Sequence, residues 1–264
     1  MGKRWPALDV SGDADLILAA ADDFSPSAVE ERDGALRIFF LSPDVRDRAS
    51  AALRATFGVA ALDVDDEDWA TRAHQNLKPI TVGRLTIHPN PQSLIPDPFS
   101  ITIPPSMGFG TGHHATTRLC LAAIQTLDLR GKFVLDVGTG SGLLAIAAVK
   151  LGAARAVGTD DDADAIQAAC ENLELNGVTS VELVVHDLMK DPLPQADVVV
   201  ANLMGALIVR AASKLAGAMA PGGALILSGI LASEGDDIRR AFANLSITSA
   251  VQEDEWLAFT LESS

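Results

Sequence analysis

Two hydrophobic rhythms run through the chain. From Phe133 onward, short runs that are apolar on nearly every residue alternate with longer stretches at helical spacing. The run at 133–137 suits a buried parallel strand, and those at 155–159, 181–185, 197–201 and 224–228 read as further strands. Between them, helices are predicted at about 143–151, from Asp161 or Asp162 to 175, at 203–219 and at 233–243. Asn176-Gly177 marks a helix stop, and Pro221-Gly222-Gly223 a turn. Two last strands, 246–251 and 256–261, complete the pattern. Strands alternating with helices predict an α/β fold with an open, mostly parallel sheet.

Residues 1–65 form a smaller unit with its own order. The pattern predicts strand 5–10, helix 13–22, strand 28–32, strand 35–41, helix 43–57 and strand 59–64. Asp33-Gly34 suits a two-residue hairpin turn. Ser42-Pro43 reads as an N-cap followed by proline at the first helical position. A βαβ–βαβ order of this kind predicts an α+β, ferredoxin-like domain. Residues 66–100 read as a connection: a charged linker helix at 66–77 containing Trp69, then a strand or hairpin at 80–88. The run from Pro89 to Pro105 holds six prolines, which predicts irregular backbone crossing the surface between domains. The third segment, 101–264, is the α/β domain.

The chemistry concentrates after the strand at 133–137. Gly138-Thr139-Gly140-Ser141-Gly142 lets backbone approach a ligand, and the helix that follows is expected to offer free N–H groups. The next strand ends on Asp160, where a carboxylate can accept bonds from both hydroxyls of a ribose. A dinucleotide fold requires G-x-G-x-x-G, but Leu143 stands where the third glycine belongs. No Lys-Ser or Lys-Thr pair follows, which excludes a P-loop. Asp187, after the strand at 181–185, is a candidate contact for an adenine amino group. Asn202 ends the strand at 197–201, in the crevice where such sheets bind ligands. Further upstream, Gly108-Phe109-Gly110-Thr111-Gly112-His113-His114 precedes a helix opened by Thr116-Thr117 and running to Leu127. Such a loop can fold over a ligand. Its histidines lack the Cys, Asp or Glu partners of a metal site, so capping or loop packing is the expected role.

Composition narrows the class. A formal net charge of -15 and a pI near 4.6 argue against a nucleic-acid-binding surface, while leaving attraction for a basic protein. Cys120 and Cys170 form no ligand pattern, which points to a reducing, cytoplasmic setting. No apolar segment follows Lys3 and Arg4, so no secretory leader is expected. The uncharged stretch between Lys214 and Glu234 is split by Pro221-Gly222-Gly223 into halves too short to span a bilayer, and a soluble protein is expected.

With those residues in place, a resemblance becomes specific. Phe109-Gly110-Thr111-Gly112-His113-His114 with Thr116-Thr117-Arg118-Leu119 resembles the signature of the ribosomal protein L-eleven methyltransferase family. So do Leu135-Asp136-Val137-Gly138-Thr139-Gly140-Ser141-Gly142, Val200-Ala201-Asn202-Leu203, Leu227-Ser228-Gly229-Ile230-Leu231 and Glu255-Trp256. The resemblance covers roughly residues 70–262. It implies a class I, Rossmann-like methyltransferase domain with a seven-stranded, mostly parallel sheet, and a small amino-terminal substrate-recognition domain. It implies S-adenosyl-L-methionine (AdoMet) as cofactor and S-adenosyl-L-homocysteine as product. The implied substrates are lysine side chains and the α-amino group of a large-subunit ribosomal protein, free or ribosome-bound. By motif, Thr117, Gly138, Asp160 and Asn202 would meet the cofactor; Gly140 of the glycine loop and Asp187 are further candidate contacts, and Asn202 is expected to orient the amine. One departure stands out: Asn202-Leu203-Met204-Gly205 replaces the N-I-L-A of many members. Competing readings are a class I methyltransferase acting on another protein or a small-molecule amine, a nicotinamide oxidoreductase and a non-catalytic AdoMet-binding assembly factor. The oxidoreductase is opposed by Leu143 and by the lack of any tyrosine.

Overall fold

Alternate residues of the first strands face opposite ways, and this decides the first unit. A computed structural model describes residues 4–21, 24, 26–32, 35–40, 42–65, 78–89, 97–104 and 114–263. Two compact units meet in sequence between Asn76 and Leu77. The first contains β1 (Arg4–Ser11), α1 (Ala14–Ala21), β2 (Ala28–Arg32), β3 (Ala35–Phe39), α2 (Pro43–Leu53) and β4 (Gly58–Asp65). Leu8, Val10, Leu36 and Ile38 pack with Ile17 and Ala21 of α1 and Ala49 and Leu53 of α2. Ala7 and Phe39, paired across β1 and β3, join Val64 in a second, smaller cluster. The sheet is antiparallel in the order β2-β3-β1-β4, which is the ferredoxin-like arrangement. Ser42 caps α2 by accepting from the Val45 amide, with Pro43 in the first turn. The predicted Asp33-Gly34 turn and the linker helix at 66–77 lie outside the described residues.

The second unit opens with β5 (Ile80–Val82), β6 (Leu85–His88) and β7 (Ser100–Thr102), a three-stranded sheet. β7 corrects the expectation of irregular backbone throughout the proline run. Between Pro98 and Pro104 every residue keeps its amide donor, and β7 pairs in parallel with β6. Ile101 and Ile103 are buried in the core of this unit. Asn176 extends the ladder with its side chain: Thr102 N–H donates to its Oδ1, and its Nδ2 donates to the Thr102 carbonyl, both at 2.7 Å.

The remaining elements are α3 (Ala115–Ile124), β8 (Phe133–Val137), α4 (Leu143–Lys150), β9 (Arg155–Asp160), α5 (Ala163–Leu175), β10 (Val181–Val185), β11 (Ala196–Asn202), α6 (Gly205–Gly217), β12 (Met219–Leu231), α7 (Gly235–Ala241), β13 (Leu245–Glu253) and β14 (Trp256–Ser263). They build a seven-stranded sheet in the order β10-β9-β8-β11-β12-β14-β13, parallel except for β14. Val134, Val198, Val200 and Ile226 face a core with α3 and α4. Their neighbours Leu135, Val199, Ala201, Leu225 and Leu227 face the other core, with α6 and α7. Both faces are dry, so each central strand is apolar on consecutive residues. Pro221-Gly222-Gly223 falls within β12 at a jump in its pairing with β11: Met219 pairs with Ala196 and Ala224 with Val198, and Gly222 takes φ +72°, so these residues leave the ladder where a turn is predicted.

Asn176→Ala removes both side-chain bonds that hold β7. Replacing a side chain that satisfies two backbone groups should cost about 2–3 kcal/mol. The urea midpoint is expected to fall with an unchanged m-value; an unaltered midpoint would show that β7 holds without Asn176.

Candidate active site

Chain order reverses in the sheet between β8 and β11, and open α/β sheets bind ligands beyond the carboxyl ends of the strands at such a point. A cleft of about 450 Å3 lies there. Every residue predicted from sequence lines it: Thr117 from α3, Gly138 and Gly140 after β8, Asp160 at the end of β9, Asp187 after β10 and Asn202 at the end of β11.

The glycine loop turns its donors inward. Gly138 and Thr139 both donate to the Thr159 carbonyl at 2.8 Å, Gly142 to the Thr139 carbonyl at 2.9 Å, and Gly140 to Asp160 Oδ2 at 2.9 Å. The Ala145 amide, in the first turn of α4, donates to Asp136 Oδ2 at 3.2 Å. The expectation of free N–H groups at this helix start is corrected to that extent, because Asp136 reaches up from β8 and caps the turn. A phosphate seated on the loop amides would have to break these bonds, while the Leu143 and Leu144 amides of the first turn have no hydrogen-bond partner among the described residues. A nucleoside ligand without phosphate meets only closely approachable backbone. Gly138 supplies that approach at φ +73°, a conformation that L side chains rarely adopt. These features fit AdoMet, which has a ribose, an adenine and a positive charge but no phosphate.

Asp160 is held from both sides. Its Oδ2 takes the Gly140 amide and its Oδ1 takes the Asp162 amide at 3.1 Å, so the carboxylate is fixed between the loop and the start of α5. A carboxylate has about four acceptor sites, which leaves capacity for ribose hydroxyls. Asn202 Nδ2 donates to Thr117 Oγ1 at 3.4 Å, and its Oδ1 has no partner among the described residues. Thr117 is itself buried. Leu203, the next residue, donates its amide to the Ser228 carbonyl at 3.0 Å.

Two histidine and aspartate readings resolve differently. His114 caps α3, accepting from the Thr116 amide, as a capping histidine should. Its ring also meets Trp256 edge-on, with centroids 5.0 Å apart. Phe109 to His113 lie outside the described residues. Asp187 lines the cleft, but its carboxylate is spent on its own turn. Oδ1 accepts from the Met189 and Lys190 amides at 2.9 and 3.2 Å, and Oδ2 pairs with Lys190 Nζ at 2.7 Å. The Lys190 bond first, then the Met189 amide, holds the Asp187 carboxyl below the usual carboxylate range.

Sequence reasoning missed the apolar walls. Leu203, Met204, Met189 and Trp256 line the cleft, each following a strand end or hairpin where a single apolar residue carries no periodic signal. It also missed the work of Asp136. That residue is fully buried; Oδ2 accepts from Thr139 Oγ1 at 2.6 Å and from Ala145, while Oδ1 has no partner. Burial pushes its carboxyl up to about 6, against the Thr139 and Ala145 bonds, and the charge of Asp160 adds to the rise.

A raised carboxyl favours the protonated folded state. The stabilisation from protonating Asp136 is therefore fully present below its unfolded value of 3.8 and is lost as pH rises through about 6. Asp136→Asn cannot titrate. Between pH 4 and 7 the wild type should lose stability relative to this variant, by on the order of 2–3 kcal/mol in chemical denaturation. A pH-independent difference between the two proteins would rule this linkage out.

Comparison with known proteins agrees with the geometry. A family model described as ribosomal protein L11 methyltransferase (PrmA) matches residues 45–264. The chain is 42% identical over 257 residues to a ribosomal protein L11 methyltransferase of Geobacter metallireducens, spanning 95% of this chain and 83% of that protein. It is 43% identical over 256 residues to the protein of the same name from Geobacter sulfurreducens, spanning 90% and 85%. The crystal structure of a ribosomal protein L11 methylase from Lactobacillus delbrueckii subsp. bulgaricus superposes with a TM-score of 0.64 at 30% identity, over 71% of this chain and 99% of that one. The chain belongs to the ribosomal protein L11 methyltransferase family, within the class I AdoMet-dependent methyltransferases.

Proposed function

We propose that this enzyme methylates ribosomal protein L11 on lysine side chains and on the α-amino group, in the cytoplasm. The observation that carries the amine chemistry is Asn202. Its Nδ2 is engaged by Thr117, its Oδ1 has no partner among the described residues, and it shares one cleft with the glycine loop and Asp160.

When bound, AdoMet supplies a methyl group already activated on a sulfonium, so no acid is needed to drive departure of the thioether. Asp160 would hold the ribose hydroxyls, with the Gly138 and Gly140 backbone offering close approach to the nucleoside. The 187–191 turn, stiffened by Asp187, walls the adenine side. The incoming amine has a usual pKa near 10.4 and has to arrive neutral. Leu203, Met204 and Trp256 disfavour its charged form by excluding water. Asn202 Oδ1 accepts one amine N–H and so aims the nitrogen lone pair. The proton released from the methylated nitrogen passes to water. Positioning of this kind is worth several kcal/mol without any dedicated base.

The described residues of the amino-terminal unit carry no cluster of catalytic side chains, and the unit is assigned the task of holding the protein substrate. The formal net charge of -15 favours encounter with a basic ribosomal protein over encounter with RNA. No helix among the described residues is long and apolar enough to cross a membrane.

Incubating unmethylated large-subunit ribosomal proteins with the enzyme and AdoMet should add mass in methylene steps to L11 alone, as read by intact-mass spectrometry. Steps on a different protein, or on none, would refute the substrate. Asn202→Ala should lower turnover about 100-fold while AdoMet affinity stays within about threefold, a loss confined to the chemical step. Unchanged turnover at saturating AdoMet would remove Asn202 from the mechanism.

A further inference from the structure

The Ser228-Gly229 step interrupts β12 beside the cleft. Pairing with β14 changes register between Leu227 and Ile230, and Gly229 takes φ +83°, so the two residues form a β-bulge. Ser228 is fully buried and lies opposite Asn202 in the ladder with β11. Its carbonyl receives the Leu203 amide at 3.0 Å, and its Oγ donates to the Leu257 carbonyl at 3.1 Å, tying the bulge to β14. Gly229 packs directly on the Leu203 peptide. A Cβ at this position would lie 2.8 Å from the Leu203 carbonyl carbon and 3.0 Å from its nitrogen, and would overlap its oxygen. On its other side, the Leu203 side chain fills the space that a Cβ on Gly138 would need. Leu203 is therefore wedged between the glycine loop and the bulge.

We propose that the Ser228-Gly229 bulge is a positioning element for methyl transfer. It fixes the Leu203 peptide, and through it Asn202, against the loop that holds the cofactor. Bulges beside active sites commonly re-aim a neighbouring group, and here the group re-aimed is the peptide that follows the amine-orienting asparagine. Gly229 acts through Leu203 and not on the amine itself. The catalytic consequence rests on the methyl-transfer reading, whereas the wedge does not.

A control for backbone strain lies in the same strand. Gly222 also has positive φ, +72°, but a Cβ there meets nothing within 4 Å. Gly229→Ala and Gly222→Ala thus impose similar conformational strain, and only the first must displace Leu203. In 1H–15N spectra, Gly229→Ala should move the Leu203 amide and the Asn202 side-chain amide, and Gly222→Ala should leave both in place. Displacing a positioned group by about 1 Å can cost on the order of 100-fold, so kcat toward the ribosomal protein should fall about 10- to 100-fold in Gly229→Ala. AdoMet Kd and substrate KM should stay within about threefold, and Gly222→Ala should keep wild-type kcat. If Gly229→Ala does not fold, Ser228→Ala loosens the same bulge and should move the same two resonances with about a threefold loss of kcat. Resonances unmoved, or resonances moved with kcat unchanged, would overturn the proposal. A wild-type enzyme inactive on this substrate would cost the substrate reading alone, since the spectra still decide the wedge.

Discussion

The Thr159 carbonyl accepts two hydrogens, from Gly138 and from Thr139, and the character of the site follows from that. The bond pair folds the glycine loop back onto β9, so the loop presents backbone surface to the cleft and keeps these amides within the protein. Gly140 and Gly142 make their own internal bonds, and Ala145 is satisfied by Asp136. A loop whose amides point outward grips phosphate; one satisfied inward admits a nucleoside by shape and by the carboxylate beside it. The difference between nucleotide chemistries on this fold therefore lies in the direction of a few N–H bonds.

Those bonds are held in place by the sheet. Val134 and Leu135 face opposite cores, as do Val199 and Val200, so β8 and β11 are anchored on both sides up to their carboxyl ends. Groups carried just beyond such ends inherit that rigidity at little further entropic cost. Asp160 and Asn202 both sit there, each with a further side-chain bond that fixes its rotamer. Asp187 sits two residues past the end of β10, in a turn, and uses its carboxylate to hold that turn, so its oxygens are the least available of the predicted set.

Much of this was legible before the structure, and the remainder failed for identifiable reasons. The runs that became β8 and β11 were readable because burial on both faces leaves no polar alternation to confuse, whereas β10 is an edge strand whose Val184 and Val185 are exposed. The glycine spacing and Leu143 discriminated the ligand class without coordinates. β7 was not readable: three residues flanked by prolines carry too little pattern, and its ladder partner includes an asparagine side chain 74 positions away. Trp256 reaches the cleft from the far end of the chain; the family resemblance marks the Glu255-Trp256 pair, but no local pattern shows that it walls the site. Gly229 did carry a signal, since an isolated glycine inside an apolar strand suggests a bulge or close backbone approach. What no linear pattern supplies is the identity of the approaching backbone, Leu203.

Asp136 and Asp160 show how one site gives two identical side chains opposite duties. Asp136 is sealed beneath the loop, where its charge is costly, and burial drives it toward the neutral form. It works as a structural acceptor that joins β8, Thr139 and the first turn of α4. Asp160 lines the cleft, where two backbone amides fix its carboxylate. Exchanging those environments would remove the negative charge from the ligand side and place it where nothing neutralises it. The charge of Asp160 adds to the cost of ionising Asp136, and depth separates the two roles: the buried carboxyl braces the loop, and the one lining the cleft is left to accept bonds from a ligand.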